Sequence, residues 1–421
     1  MSIQLNKGVN FTYIPSKKFK TVEILIRFQT SIQNNVKEER ALLSRMMSTS
    51  SLNYPQHSLL TQKLADLYGA SLNVSVSKKG QGLFFNVSMS FVDDQYLSQN
   101  GLTEECVDLL KEILFQPQIE NGLFPEKTFE LEKENLKHYF QSAKEDKAYF
   151  AEVQMAELFF HDSLGQATPS YGEESRLKTI ENAHLVNYYR EMMATDEVDI
   201  LVLGDVDEKK ITELFRAFPF ADRLTTNQNL FYSPVENNLI REKIIYENVE
   251  QSQLSMGYRH PIRYDDGRYY ALHVFNGIFG GFPHSKLFQN IRERDSLAYT
   301  VSSSFDSFRG LLRVRAGIEK ENRQLVMKLI YEALQEIEKG EFSEEEVEKT
   351  KLLLKSSYLI SQDSRNSLLE QEFMKRVLPF VKRSNEEWTT GIENVTPHQI
   401  QDVAKTLKLA AVFFLGGNGD E

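Results

Sequence analysis

The sequence predicts an α+β fold made of two homologous halves, each a largely antiparallel sheet with helices packed on one face. Three internal matches lead there. The first pairs "FPEKTFELEKENLKHYF" from Phe124 with "FSEEEVEKTKLLLKSSYL" from Phe342, 218 residues later. Both open on Phe, pass a capping or first-turn residue (Pro125, Ser343) into acids, and continue as an amphipathic helix, with Phe129 and Leu136 matching Val347 and Leu354. The second pairs "TIENAHLVNYYREMMATDEVDILVLGD" from Thr179 with "GIENVTPHQIQDVAKTLKLAAVFFLGG" from Gly391: an Ile-Glu-Asn opening, a helix, then a buried strand ending in Gly. The third pairs "LYGASLNVSVSKKGQGLFFNVSM" from Leu67 with "DSLAYTVSSSFDSFRGLLRVRAG" from Asp295: a helix end, an alternating strand, a turn and a second strand. A repeat this long is a duplicated domain, not a solenoid unit.

Each half therefore reads strand, helix, helix end, strand, hairpin, strand, long helices, final strand. Runs of strands followed by runs of helices indicate α+β. Residues 223–238, "RLTTNQNLFYSPVENN", are polar, carry a Pro and lack periodicity, which makes them the expected linker between halves 1–222 and 239–421.

Composition narrows the function classes. The 421 residues are 41% hydrophobic and 26% charged, enough apolar material for sizeable cores. A net charge of −11 argues against a nucleic-acid or anionic-membrane partner, either of which needs a basic face. The single cysteine, Cys106, allows no intramolecular disulfide, as in a reducing compartment, and reads as a small apolar residue on a helix. The first twenty residues lack an apolar run of signal-peptide length, and stretches such as "LAAVFFLGG" are too short to span a bilayer. The expectation is a cytoplasmic protein with no membrane partner.

The stretch "LFQNIRERDSLAYTVSSSF", residues 287–305, begins with helical spacing and ends as a strand, with Arg292 and Tyr299 on either side of the change. Taken alone, an Arg beside Glu293 and Asp295 is a surface ion pair, and a Tyr entering a strand is a cross-strand packing residue. Their positions in the first repeat fall near Leu64 and on Ser71, so the repeat does not itself require the pair.

The two α+β halves, the "LYGA" at a helix end and the segment "LFQNIRERDSLAYTV" together resemble the pitrilysin/insulinase-type metallopeptidases over nearly the whole chain. The resemblance implies that Arg292 and Tyr299 bind the substrate carbonyl near the scissile bond. A guanidinium and a phenol aimed at an oxyanion stabilise the tetrahedral transition state. It also implies a His-x-x-Glu-His helix in the first half, where two His hold zinc and the Glu acts as base. Here that stretch is "KEERALLSRMMSTSSLNYP". The positions fall on Ala41, Ser44 and Arg45, which offer no donor, a poor base and a fixed cation. Leu42, Leu43, Met46 and Met47 mark it as a core-facing helix.

The later Glu position of the family falls on Glu130. The eight His show no i, i+4 pair, so neither a metal nor another cofactor is expected. "FNGIFGGFPHSKLF" lacks the Lys-Ser/Thr of a phosphate loop. It reads as a helix broken at Gly280 and Gly281, which match a substrate-contacting glycine loop of heterodimeric relatives, with His284 in the turn. The resemblance implies a non-zinc-binding subunit paired with a zinc-bearing paralogue and acting on an extended peptide, inactive alone. The alternative is an inactive scaffold or accessory peptide-binding protein in a modification or peptide-maturation pathway.

Overall fold

Alternation of side chains along a strand dictates which residues meet the helices, and in both halves that alternation is kept. The computed structural model describes residues 2–98, 101–225, 229–235, 238–381 and 383–417. Contacts divide the chain into two compact units. Unit 1 comprises residues 1–140, 170–228 and 363–379, and unit 2 comprises residues 141–169, 229–362 and 380–421.

Unit 1 begins with β1 (Ser2–Asn6) and β2 (Val9–Pro15), joined through Gly8 at φ +73°, a left-handed turn position that glycine adopts without strain. It continues with β3 (Thr21–Ser31), α1 (Lys37–Thr49), α2 (His57–Asp66), β4 (Ser71–Lys79) and β5 (Gly82–Val92). Then come α3 (Leu102–Phe115) and α4 (Glu126–Glu145). The six-stranded sheet has the order β1-β2-β6-β3-β5-β4, where β6 is Glu197–Gly204. Every pairing is antiparallel except β2 with β6. Val22, Ile24, Ile26 and Phe28 of β3 point alternately into one core with Leu42, Met46 and Cys106.

The chain crosses to unit 2 at α5 (Lys147–Phe159) and returns after the single-turn α6 (Leu164–Ala167). In unit 1 it forms α7 (Glu174–Leu177), α8 (Asn182–Thr195), β6 and α9 (Glu208–Arg216). Of the expected linker, residues 226–228 and 236–237 lie outside the described residues, while Leu230 and Phe231 are buried.

Unit 2 repeats the plan with β7 (Arg241–Glu247), β8 (Ser252–Arg259), α10 (Tyr269–Asn276), β9 (Ala298–Asp306) and β10 (Leu311–Ile318). The helices α11 (Arg323–Lys339), α12 (Glu344–Ser361), α14 (Asn385–Glu393) and α15 (Pro397–Thr406) precede β11 (Lys408–Gly417). Between α12 and α14, α13 (Arg365–Val377) belongs to unit 1. The sheet order is β7-β11-β8-β10-β9, with β7 and β11 parallel and the other pairs antiparallel. Leu254, Met256 and Tyr258 of β8 and Leu312, Val314 and Ala316 of β10 face the helices.

The second face of each sheet is also covered, by a helix from the other half of the sequence. In unit 2, α5 packs on β8 and β11. A Cβ on Gly257 would lie 2.7 Å from Met155 Sδ and 2.9 Å from a Phe159 ring carbon, so the glycine permits this approach. In unit 1, α13 packs on β6 and β2, and Phe373 meets Phe84 edge-on at 5.7 Å. These helices occupy equivalent repeat positions. Each carries a glutamate between two cations of the sheet it covers. Glu152 pairs with Arg313 and Arg315, and Glu370 pairs with Arg27 (3.0 Å) and Lys79 (2.5 Å). Burial works to raise the Glu370 pKa, but Lys79 and Arg27 outweigh it and hold the carboxylate below its ordinary range.

Candidate functional site

In unit 1, α1 follows β3 and turns inward along most of its length. Ala41 is 4% exposed and packs in the core, and Ser44 spends its hydroxyl on the Ala41 carbonyl at 2.8 Å. The Arg45 guanidinium lies 5.7 Å from the centre of the Tyr139 ring on α4. Glu130 is exposed. The carboxylate that α4 presents to α1 is Glu132. It is buried, accepting from Thr49 Oγ1 at 3.0 Å and from Asn135 Nδ2 at 3.3 Å. It lies two residues from Glu130, over half a turn around the helix. Among the described residues, no three His, Cys, Asp or Glu side chains come together as a metal-binding group. The positions where the family's zinc ligands would stand are filled by packing and by local hydrogen bonds.

Unit 2 treats its own segment differently. After α10, Gly277–Gly281 forms a π-helical turn and Phe288–Arg294 forms a second, a local widening common at functional sites. A Cβ on Gly280 would sit 2.7 Å from Ser303 Oγ and 2.9 Å from Ser303 N, so this glycine brings the turn against β9. His284 meets Thr350 Oγ1 at 2.7 Å and stacks on Phe282, a structural role.

Leu287 and Ile291 are buried and anchor the second turn. Arg292 emerges from it with its side chain 46% exposed. Its guanidinium lies 4.7 Å from the Phe288 ring centre, and its nearest carboxylate contact is Glu293 at 3.9 Å, the outer limit of an ion pair. Asp295 pairs with Arg294 instead, at 2.9 Å. The turn closes through Leu297 N–H on the Ile291 carbonyl (2.9 Å) and Ser296 at φ +51°.

The chain then enters β9, the edge strand of the sheet. Thr300 pairs with Gly317 and Ala298 with Ile318, which leaves Tyr299 at a bulge. A bulge residue has no ladder partner and can re-aim its side chain. Tyr299 is 62% exposed, and its phenol donates to Glu319 at 3.1 Å. That carboxylate raises the phenol's pKa. Among the described residues no hydrogen bond joins Arg292 to Tyr299; both stand outward on either side of one closed turn. Sequence reasoning missed Glu319 and the bulge. The glycine at 317, opposite the bulge in a strand, was the available signal.

The description "Peptidase M16 inactive domain" fits residues 179–354. Across 97% of this chain and 96% of the relative, the sequence is 31% identical to the probable inactive metalloprotease YmfF of Bacillus subtilis. The chain belongs to the peptidase M16 family. It is a metalloprotease-like M16 protein whose first-half helix carries Ala41, Ser44 and Arg45 where the resemblance implies His-x-x-Glu-His. The uncharacterized zinc protease YmxG from the same organism is 25% identical over 63% of this chain and 67% of its own length. Among solved structures, a conserved protein from Enterococcus faecalis V583 is 45% identical with a TM-score of 0.96, covering 100% of this chain and 99% of that one. An M16 inactive domain from Pseudomonas fluorescens shares the fold at 16% identity, with a TM-score of 0.81 and coverage of 100% and 99%.

Proposed function

We propose that this M16 chain is the non-zinc subunit of a two-chain peptidase, in which Arg292 and Tyr299 hold the carbonyl of a peptide cut at a zinc-bearing paralogue's metal. One contrast carries the reading. The zinc-position residues are packed into unit 1, whereas Arg292 and Tyr299 remain exposed and only loosely engaged in unit 2. The peptide adds as a strand to the open edge of β9, where backbone pairing gives affinity without strict sequence demand. The Glu319 contact preorients the phenol and is exchanged for substrate.

The test is peptide hydrolysis by the purified chain, by a zinc-motif paralogue, and by the mixture. Activity confined to the mixture supports the two-chain site; zinc-dependent cleavage by the single chain refutes it. A second reading, an accessory peptide-binding protein, is favoured by the Tyr299–Glu319 bond, which satisfies the phenol without substrate. It predicts peptide binding with no hydrolysis in any mixture.

A further inference from the structure

The two sheets differ at one edge. In unit 1 the strand parallel to β6 is β2, and β1 covers it as an antiparallel neighbour. In unit 2 the strand in the equivalent place is β7, parallel to β11, and among the described residues nothing pairs with its other side. Burial follows the difference. Val9, Phe11 and Tyr13 of β2 are buried, whereas Ile244 and Tyr246 of β7 are 40% and 55% exposed. Leu239 and Ile240, just before β7, are exposed as well. The other edge strands, β4 and β9, end both sheets alike, so an open β7 is the feature peculiar to unit 2.

Among the described residues, the backbone of β7 makes no backbone hydrogen bond outside its ladder with β11. An edge strand carries a row of unpaired N–H and C=O groups, which a protein either guards with charge or pairs with another strand. The charges of β7 favour pairing. Its sequence is Arg-Glu-Lys-Ile-Ile-Tyr-Glu, of mixed sign and complementary to itself. When two copies run antiparallel about a two-fold axis at Ile244, Arg241 of each lies directly opposite Glu247 of the other. Lys243 then lies diagonal to the same glutamate. Opposite charges at such positions stabilise a strand pair. On the other face Ile244 meets its own copy and Tyr246 lies opposite Glu242.

The side chains are placed for this. Arg241 is half-buried, and its Nη1 has no acceptor among the described residues. Glu247 is steadied by Lys147 at 2.7 Å, with 39% of its side chain still exposed to take a second cation.

We infer that β7 is a self-association edge: two copies of this protein join their unit 2 sheets through an antiparallel β7–β7 pair. The second copy takes the place that β1 holds on β2 in unit 1. A two-fold pairing of this kind uses the same edge of both copies and closes as a dimer. The edge strand β9 lies at the opposite side of the sheet, so the dimer leaves Arg292 and Tyr299 free, and the inference does not rest on the peptide reading.

The test is sedimentation equilibrium of the full chain from about 1 to about 200 µM, with thermal melts to confirm that each variant is folded. The expected result is a reversible monomer–dimer equilibrium with a Kd below about 100 µM. Arg241→Glu and Glu247→Arg, which set like charges opposite each other, should each weaken association at least about tenfold. The double variant carrying both changes should recover it. So should an equimolar mixture of the two single variants, in which the charges are complementary again. A chain that stays monomeric throughout the range overturns the inference, even where it associates with a zinc-motif paralogue. So does a dimer that both single variants leave intact, or one that neither the double variant nor the mixture restores.

Discussion

The two units answer the same ancestral plan in opposite ways. In unit 1, the helix that would carry zinc ligands has become interior. Ala41 is core, Ser44 bonds its own backbone, Arg45 leans on Tyr139, and Glu132 is bound by Thr49 and Asn135. In unit 2, Arg292 and Tyr299 are exposed on a π-helical turn and a bulge, Arg292 beside the Phe288 ring and Glu293, Tyr299 hydrogen-bonded to Glu319. The difference is one of packing, with one position given over to the core and the other left at the surface. A site turned over to packing gains burial and loses chemistry. A site kept exposed contributes little to stability, so its side chains are free to serve a ligand.

The units differ in titration too, and this gives the largest expected effect. The described histidines of unit 1, His57, His138 and His184, are exposed. Unit 2 buries His260 and half-buries His273, and loss of hydration pushes their pKa values from an ordinary 6.5 down to about 4 and about 3. The unfolded chain therefore takes up protons first as pH falls below about 6.5. Stability is present at neutral pH and is lost progressively down to the folded values. His273→Phe keeps the ring packed against Tyr269, Phe305 and Trp388. It should recover roughly 2–4 kcal/mol of stability near pH 4 relative to wild type. Urea melts between pH 7 and 4 check this, and identical pH slopes for both proteins would break the contrast.

A middle-sized effect is expected on α1. Ala41→His forces a ring into a filled core and should cost about 1–3 kcal/mol. Denaturant midpoints measure it. A neutral result would mean that the ligand position is still open, against the account given for unit 1. The smallest effect belongs to unit 2, where Arg292→Ala and Tyr299→Phe should each change stability by no more than about 0.5 kcal/mol. A larger loss would make them structural residues.

Much of this was legible in the sequence. The duplicated halves follow from three matched segments, and the loss of zinc ligands follows from the residue types at Ala41, Ser44 and Arg45. The Arg292 and Tyr299 segment stood out through its resemblance to the family's segment, and the first repeat, with Leu64 and Ser71 near those places, does not itself require the pair. The exchange of α5 and α13 was not legible. A helix's periodicity reveals its apolar face but not which sheet that face will cover, since that depends on contacts hundreds of residues apart. Glu132 was hidden for a related reason, because helical phase relative to α1 is set by tertiary packing. The bulge at Tyr299 depends on the register between two strands, which alternation alone leaves open by one residue.

The central claim is that Arg292 and Tyr299 act in peptide cleavage carried out with another chain. Its most direct test is kcat/KM for peptide hydrolysis by the mixture with a zinc-motif paralogue, comparing wild type with Arg292→Ala and Tyr299→Phe. The account predicts a loss of about 10²-fold or more in each variant with assembly intact. Hydrolysis by the mixture that is indifferent to both substitutions would contradict it.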